Sequence, residues 1–119
     1  MAGREALQSW QKWLRGHGVA VGDIAERDGC PVLDFEDPEG QRLALVDDGG
    51  RGPAPVPSER SPVPVPCQIR GLGPVVLSVP ELAPTDAVLQ QVLGLRPARR
   101  YPRPEDPRHT VHVYEMGEG

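Results

Sequence analysis

His109-Thr110-Val111-His112-Val113-Tyr114-Glu115 holds two imidazoles and a carboxylate, the donor types of a 2-His-1-carboxylate iron site. Spacing decides whether they can act together. On a strand, His112 points away from both His109 and Glu115, while His109 and Glu115 share a face about 20 Å apart at ~3.3 Å per residue. Metal–ligand bonds of ~2 Å do not close over that span. A helix would bring all three toward one face, but the Thr-Val-His-Val-Tyr composition favours a strand. Ordinary strand residues are therefore the preferred reading of His109, His112 and Glu115, the only metal-ligand candidates in the sequence.

Other chemistries find less support. Ser9, Ser58, Ser61 and Ser78 lack the context of a nucleophile elbow. Cys30 and Cys67 lie far apart without CxxC spacing and read as free thiols. The glycines of Gly71-Leu72-Gly73 precede an expected strand, where a phosphate-cradling loop would precede a helix. Glu36-Asp37 and Asp47-Asp48 flank turns, where solvated carboxylates are the ordinary outcome. Trp10 and Trp13 could stack on a ligand, but three apart on an apolar stripe they read as core. His17 reads as a solvated residue at a helix end, where its protonated form suits the helix dipole. No catalytic or cofactor-binding residue is assigned.

The elements that would position these groups begin with Val32–Val46, a β-hairpin around Asp37-Pro38-Glu39-Gly40. Pro38 presets φ for the first central turn position, and Gly40 supplies a positive φ without a Cβ clash. Leu33 and Phe35 share one face, as do Leu43 and Leu45 on the returning strand, so a covering layer is needed. That layer is the helix expected from Glu5 to Arg15, where Ala6, Leu7, Trp10, Trp13 and Leu14 recur at helical spacing. Gly16 and Gly18 offer left-handed positions to end it. A strand from Val19 to about Ala25 turns through Arg27-Asp28-Gly29 into the hairpin, and Asp47-Asp48-Gly49-Gly50 closes the unit.

From Arg51 to Pro66, proline recurs almost every second residue, which excludes helix and ladder and predicts an extended, semi-rigid connector. An SH3-type ligand is the alternative, without clear basic anchors to support it. Beyond it, Ile69 to Val79 reads as a buried strand. Pro80 to Pro84 breaks it, and Thr85 or Asp86 caps a helix whose stripe of Ala87, Val88, Val92 and Leu93 ends at Gly94. Leu95–Tyr101 and Thr110–Met116 read as two strands joined by a turn over Pro102–Pro107.

Composition bounds the rest. The 119 residues include 15 Pro and 14 Gly, only 38% are hydrophobic and five are aromatic, so the core is small and stability marginal. Thirteen basic and 17 acidic residues give a net charge of −4 without long runs of one sign, which argues against a nucleic-acid footprint or a membrane-surface patch. No apolar stretch approaches the ~18 residues that would span a bilayer, and the N-terminus lacks a secretory pattern, so a cytoplasmic location is expected.

Trp10–Gly18 (WQKWLRGHG), Phe35–Val46 (FEDPEGQRLALV), Ser61-Pro62-Val63-Pro64, Ile69–Val79 (IRGLGPVVLSV) and Val88–Leu95 (VLQQVLGL) together resemble the vicinal oxygen chelate superfamily of glyoxalase, bleomycin-resistance and extradiol-dioxygenase proteins. The likeness covers nearly the whole chain and is strongest to ring-cleaving dioxygenases of the dichlorohydroquinone type. The Asp-Pro-Glu-Gly hairpin is common to many modules of the superfamily. Its combination with the proline segment and the Ile-Arg-Gly-Leu restart is more specific.

The resemblance implies an α+β fold of two incomplete βαβββ modules: residues 1–50 as the αβββ end of one, 51–68 as linker, and 69–119 as the βαββ start of the next. It implies an Fe(II)-dependent extradiol-type activity for the full-length family. The iron triad is expected from the first and last modules, outside this chain, which on this reading is an internal fragment with no cofactor of its own and no catalysis alone. Gly73 and Pro74 stand where a third module often carries a His. The alternatives are a metal-free module holding a small aromatic ligand and a structural half-domain acting by assembly. The partners implied are a second copy, most simply in a homodimer, or the missing modules.

Overall fold

A computed structural model describes residues 3–103 and 105–116. The chain forms two compact units, Met1–Gly73 and Pro74–Gly119. Helices and small antiparallel sheets occur in both, which makes the fold α+β.

In the first unit, helix α1 runs Arg4–Gly16. It ends because Gly18 takes φ +73°, which lets its amide reach the Arg15 carbonyl and the Val19 amide reach Leu14, a Schellman closure. Strands β1 (Ala25–Arg27), β2 (Cys30–Glu36) and β3 (Arg42–Val46) form a sheet in that order. Asp28 and Gly29 both take positive φ between β1 and β2, the conformation a two-residue type I′ hairpin requires. The β2–β3 register pairs Leu33 with Leu45 and Phe35 with Leu43, which puts the two expected apolar faces on one side of the sheet. At the turn, Gly40 has φ +83°, and Asp37 Oδ1 accepts from the amides of Glu39 and Gln41 at 2.9 and 2.8 Å.

The core of this unit is small. Ala6, Leu7 and Leu14 of α1 pack on Leu33 and Leu45, with Trp10, Val21, Ile24 and Phe35 half-buried around them. The core reading of the tryptophans holds for Trp10, whereas Trp13 is 46% exposed and lies 4.2 Å from His17, ring centroid to ring centroid. The strand expected over Val19–Ala25 is mostly a looser run beside β2. It is joined there by the Val21–Phe35 bridge and by bonds from Gly22 to Asp34 and from Glu36 to Ala20.

The proline segment departs from an extended connector. Prolines forfeit their own N–H but leave their carbonyls and neighbouring amides to be satisfied, and Gln68 does much of this. Its side chain accepts from the Ser58 amide at 2.9 Å and donates to the carbonyls of Ser58 and Val63, both at 3.0 Å. A single 3₁₀ turn, Val65–Cys67, then brings the Cys67 carbonyl to the Trp10 indole N–H at 2.6 Å. The segment thus folds back on α1 within the first unit.

The second unit differs from expectation at its start. Residues 71–79 adopt no strand, and Val75 and Leu77 are 85% and 64% exposed. A strand exists only against a partner edge, and none of the described strands pairs with this one. Helix α2 spans Leu82–Ala87, starting earlier than the Thr85 or Asp86 cap would place it, because Pro84 is tolerated in a first helical turn. It widens into a π-helical turn, Val88–Val92, before Gly94 at φ +69° ends it. Strands β4 (Arg96–Pro102) and β5 (Thr110–Glu115) form a two-stranded ladder with a bulge between Pro97 and Arg99. Pro104, within the turn expected at Pro102–Pro107, lies outside the described residues. Among the described residues no helix is long and apolar enough to cross a membrane.

Candidate functional site

The second unit carries the best-defined polar constellation in the chain. The Tyr114 hydroxyl on β5 donates to Asp86 Oδ1 on α2, and the Gln90 amide donates to the same oxygen at 2.8 Å. Asp86 and Gln90 are four apart, so a helix stacks them on one side, while β5 alone determines where Tyr114 points. The Tyr114 and Gln90 bonds hold the Asp86 carboxyl below its ordinary range, with a smaller contribution from the charge of His112. The same carboxylate pushes the Tyr114 phenol above its usual value. A strengthened acid and a weakened phenol both move away from neutral pH, opposite to what general acid–base catalysis needs. The arrangement suits a structural clasp.

The iron-ligand candidates are placed separately. His109 stands just before β5 with Nδ1 2.9 Å from Asp106 Oδ2. Asp106 is itself held below the carboxylate range, chiefly by bonds from the Arg108 side chain and amide. His112 faces Arg100 across the ladder. Glu115 pairs with Arg96 in register and its carboxylate lies 3.2 Å from Arg99. Two of the three carry a charge partner suited to a surface ion pair, and strand alternation sends His112 and Glu115 to opposite faces. Among the described residues no three His, Cys, Asp or Glu side chains come together as a metal site. The donor set present does not fit an iron ion.

Two clefts of about 270 Å³ each lie among the described residues. One lies in the proline segment, with Pro55, Val56, Pro57, Val65, Pro66 and Ile69 as apolar walls. Gln68 and Arg70 close its polar end, and both are committed: Gln68 to the backbone bonds above, Arg70 to Asp48 at 2.9 Å. Slight desolvation raises the Asp48 carboxyl, but the bonds from Gly50 and Arg70 outweigh it and leave the group below its ordinary value. The other cleft is a shallow strip of β4 residues 97–100 beside His112. Cys30 and Cys67 are free thiols, each half-buried.

Sequence reasoning missed the Asp86–Tyr114 pair. The i, i+4 spacing of Asp86 and Gln90 was readable, but the third member lies 28 residues from the first and no local pattern announces it.

No family model matches the chain. It is similar to the "Putative ring-cleaving dioxygenase MhqA" of Bacillus subtilis (strain 168), with 39% identity over 118 residues. The alignment takes in 98% of this chain and 36% of that protein, so the chain spans about a third of the length of the curated relative it matches. Identity of this level over nearly the whole chain relates it to about a third of that protein, in line with the resemblance in its motifs.

Proposed function

We propose that this chain supplies scaffold modules of the vicinal oxygen chelate type to a ring-cleaving dioxygenase whose Fe(II) is held by residues outside it. The 39% identity over 98% of the chain carries this reading. The placement of His109, His112 and Glu115 supports assigning the ligands elsewhere, because separated donors cannot share one ion. On this reading the chain alone neither holds iron nor opens a ring, and its location is cytoplasmic. The test is a chimera in which this chain replaces the 118 matching residues of the Bacillus relative. Oxygen uptake on a dihydroxybenzene within about tenfold of the parent, a loss of no more than ~1.4 kcal/mol in transition-state stabilisation, supports the proposal. A folded chimera that is inactive beside an active parent opposes it.

A second reading, action by assembly, is favoured by the unpaired segment at residues 71–79 and its exposed valines. Unpaired β-forming backbone and apolar side chains favour pairing with another chain. A homodimer is the simplest such assembly. A metal-free module holding a small aromatic ligand would have the proline cleft as an apolar concavity.

A further inference from the structure

The second unit contains no fully buried side chain among its described residues, although its helix and hairpin are well formed. Its apolar groups are at most half-buried, as Leu89, Leu95, Val111 and Val113 are. Val88 and Val92 on the helix are 50% and 74% exposed. By strand alternation, Val111 and Val113 lie on the opposite face of β5 from Tyr114. The face carrying Tyr114 also carries His112, paired in register with Arg100. The helix therefore docks on the face that carries Tyr114, His112, Arg100 and Pro97.

What joins the two elements there is Asp86. Its carboxylate sits on the last full α-helical turn, immediately before the π-helical turn, and takes both the Tyr114 hydroxyl and the Gln90 amide. A π turn is a less favourable packing of the backbone than an α turn, retained where the wider turn serves a purpose. Here it begins two residues after Asp86 and includes Gln90, the second donor to that carboxylate. Eleven helical residues, Leu82–Val92, are too few to be stable alone in water, so the helix depends on what it docks against.

We propose that the Asp86–Tyr114 bond is a releasable latch, the interaction that holds the helix Leu82–Val92 on the β4–β5 hairpin in place of an apolar core. With the latch closed, the helix is fixed with Val88 and Val92 outward. With it open, the helix is free to move as one piece, because no buried core must be broken.

The test is amide hydrogen exchange by NMR on the full chain and its Tyr114→Phe variant, which keeps the ring and removes the donor. The amides to watch are those of Leu93 and Leu95, which bond back to the Val88 and Leu89 carbonyls at the end of the helix. The latch predicts that both speed up by about tenfold, the effect of losing one hydrogen bond to a charged group, while the β4–β5 ladder amides stay within about twofold. Asp86→Asn keeps an acceptor oxygen and falls between the two. Unchanged Leu93 and Leu95 amides in Tyr114→Phe overturn the proposal. So does equal acceleration of the ladder, which would mean that the unit opens as a single body and the bond is no latch.

Discussion

The phenol of Tyr114 and the carboxylate of Asp86, 28 residues apart in sequence, meet in a direct hydrogen bond that joins β5 to α2. The bond favours the ionised carboxylate and the protonated phenol, the two states in which it forms.

A pH window follows from those directions. The folded Asp86 value lies below its ordinary one, so its contribution is full above the unfolded carboxylate range, near pH ~3.9, and is lost as pH falls through the folded value. The folded Tyr114 value is raised, so its contribution is full below about pH 10 and is lost as pH rises through the folded value. The Tyr114 ring resonances are expected to hold constant between these limits and to move outside them. A transition centred near neutrality would show that another group governs the contact.

Core truncation should separate the covered centre of the first sheet's inner face from its exposed end. Leu33 is fully buried against α1, and Leu33→Ala is expected to cost about 2–5 kcal/mol in urea unfolding. Leu43 on the neighbouring strand is 40% exposed, and Leu43→Ala is expected to cost about 1 kcal/mol or less. Equal losses would mean that Leu43 is covered in solution.

The contrast between these elements explains what the sequence could reveal. Gly18, Asp28-Gly29 and Asp37–Gly40 act through their own backbone geometry, so α1 and the β2–β3 hairpin were legible, whereas β1 falls at Ala25–Arg27, past the strand expected from Val19 to about Ala25. The composition of Ile69–Val79 suits a strand equally well, but a strand needs a partner edge, and none lies against these residues. Gln68 and Asp86 were illegible as organisers for a related reason. Any glutamine or aspartate has their chemistry, and only folding shows that Ser58 and Tyr114 stand within reach.

Gln68 offers a separate check on the proline segment. Gln68→Ala removes three bonds to backbone groups of Ser58 and Val63. These sites are largely solvent-accessible, so the loss is expected to be about 1 kcal/mol, read as several-fold faster tryptic cleavage after the exposed Arg60. Cleavage at the parent rate would show that Gln68 does not hold the loop.

Self-association is expected from the unpaired segment before α2. Light scattering coupled to size exclusion should give a mass above the 12.9 kDa of one chain, and Val75→Lys with Leu77→Lys should return it toward that value. A strictly monomeric parent well above micromolar concentration would contradict the assembly reading.

The proposal that the catalytic iron is held outside this chain is tested most directly by elemental analysis of the purified protein after Fe(II) loading and desalting. Far less than one equivalent of iron per chain is predicted, because His109, His112 and Glu115 do not converge on a common point. One tightly held equivalent, lost in His112→Ala and in Glu115→Ala, would contradict it.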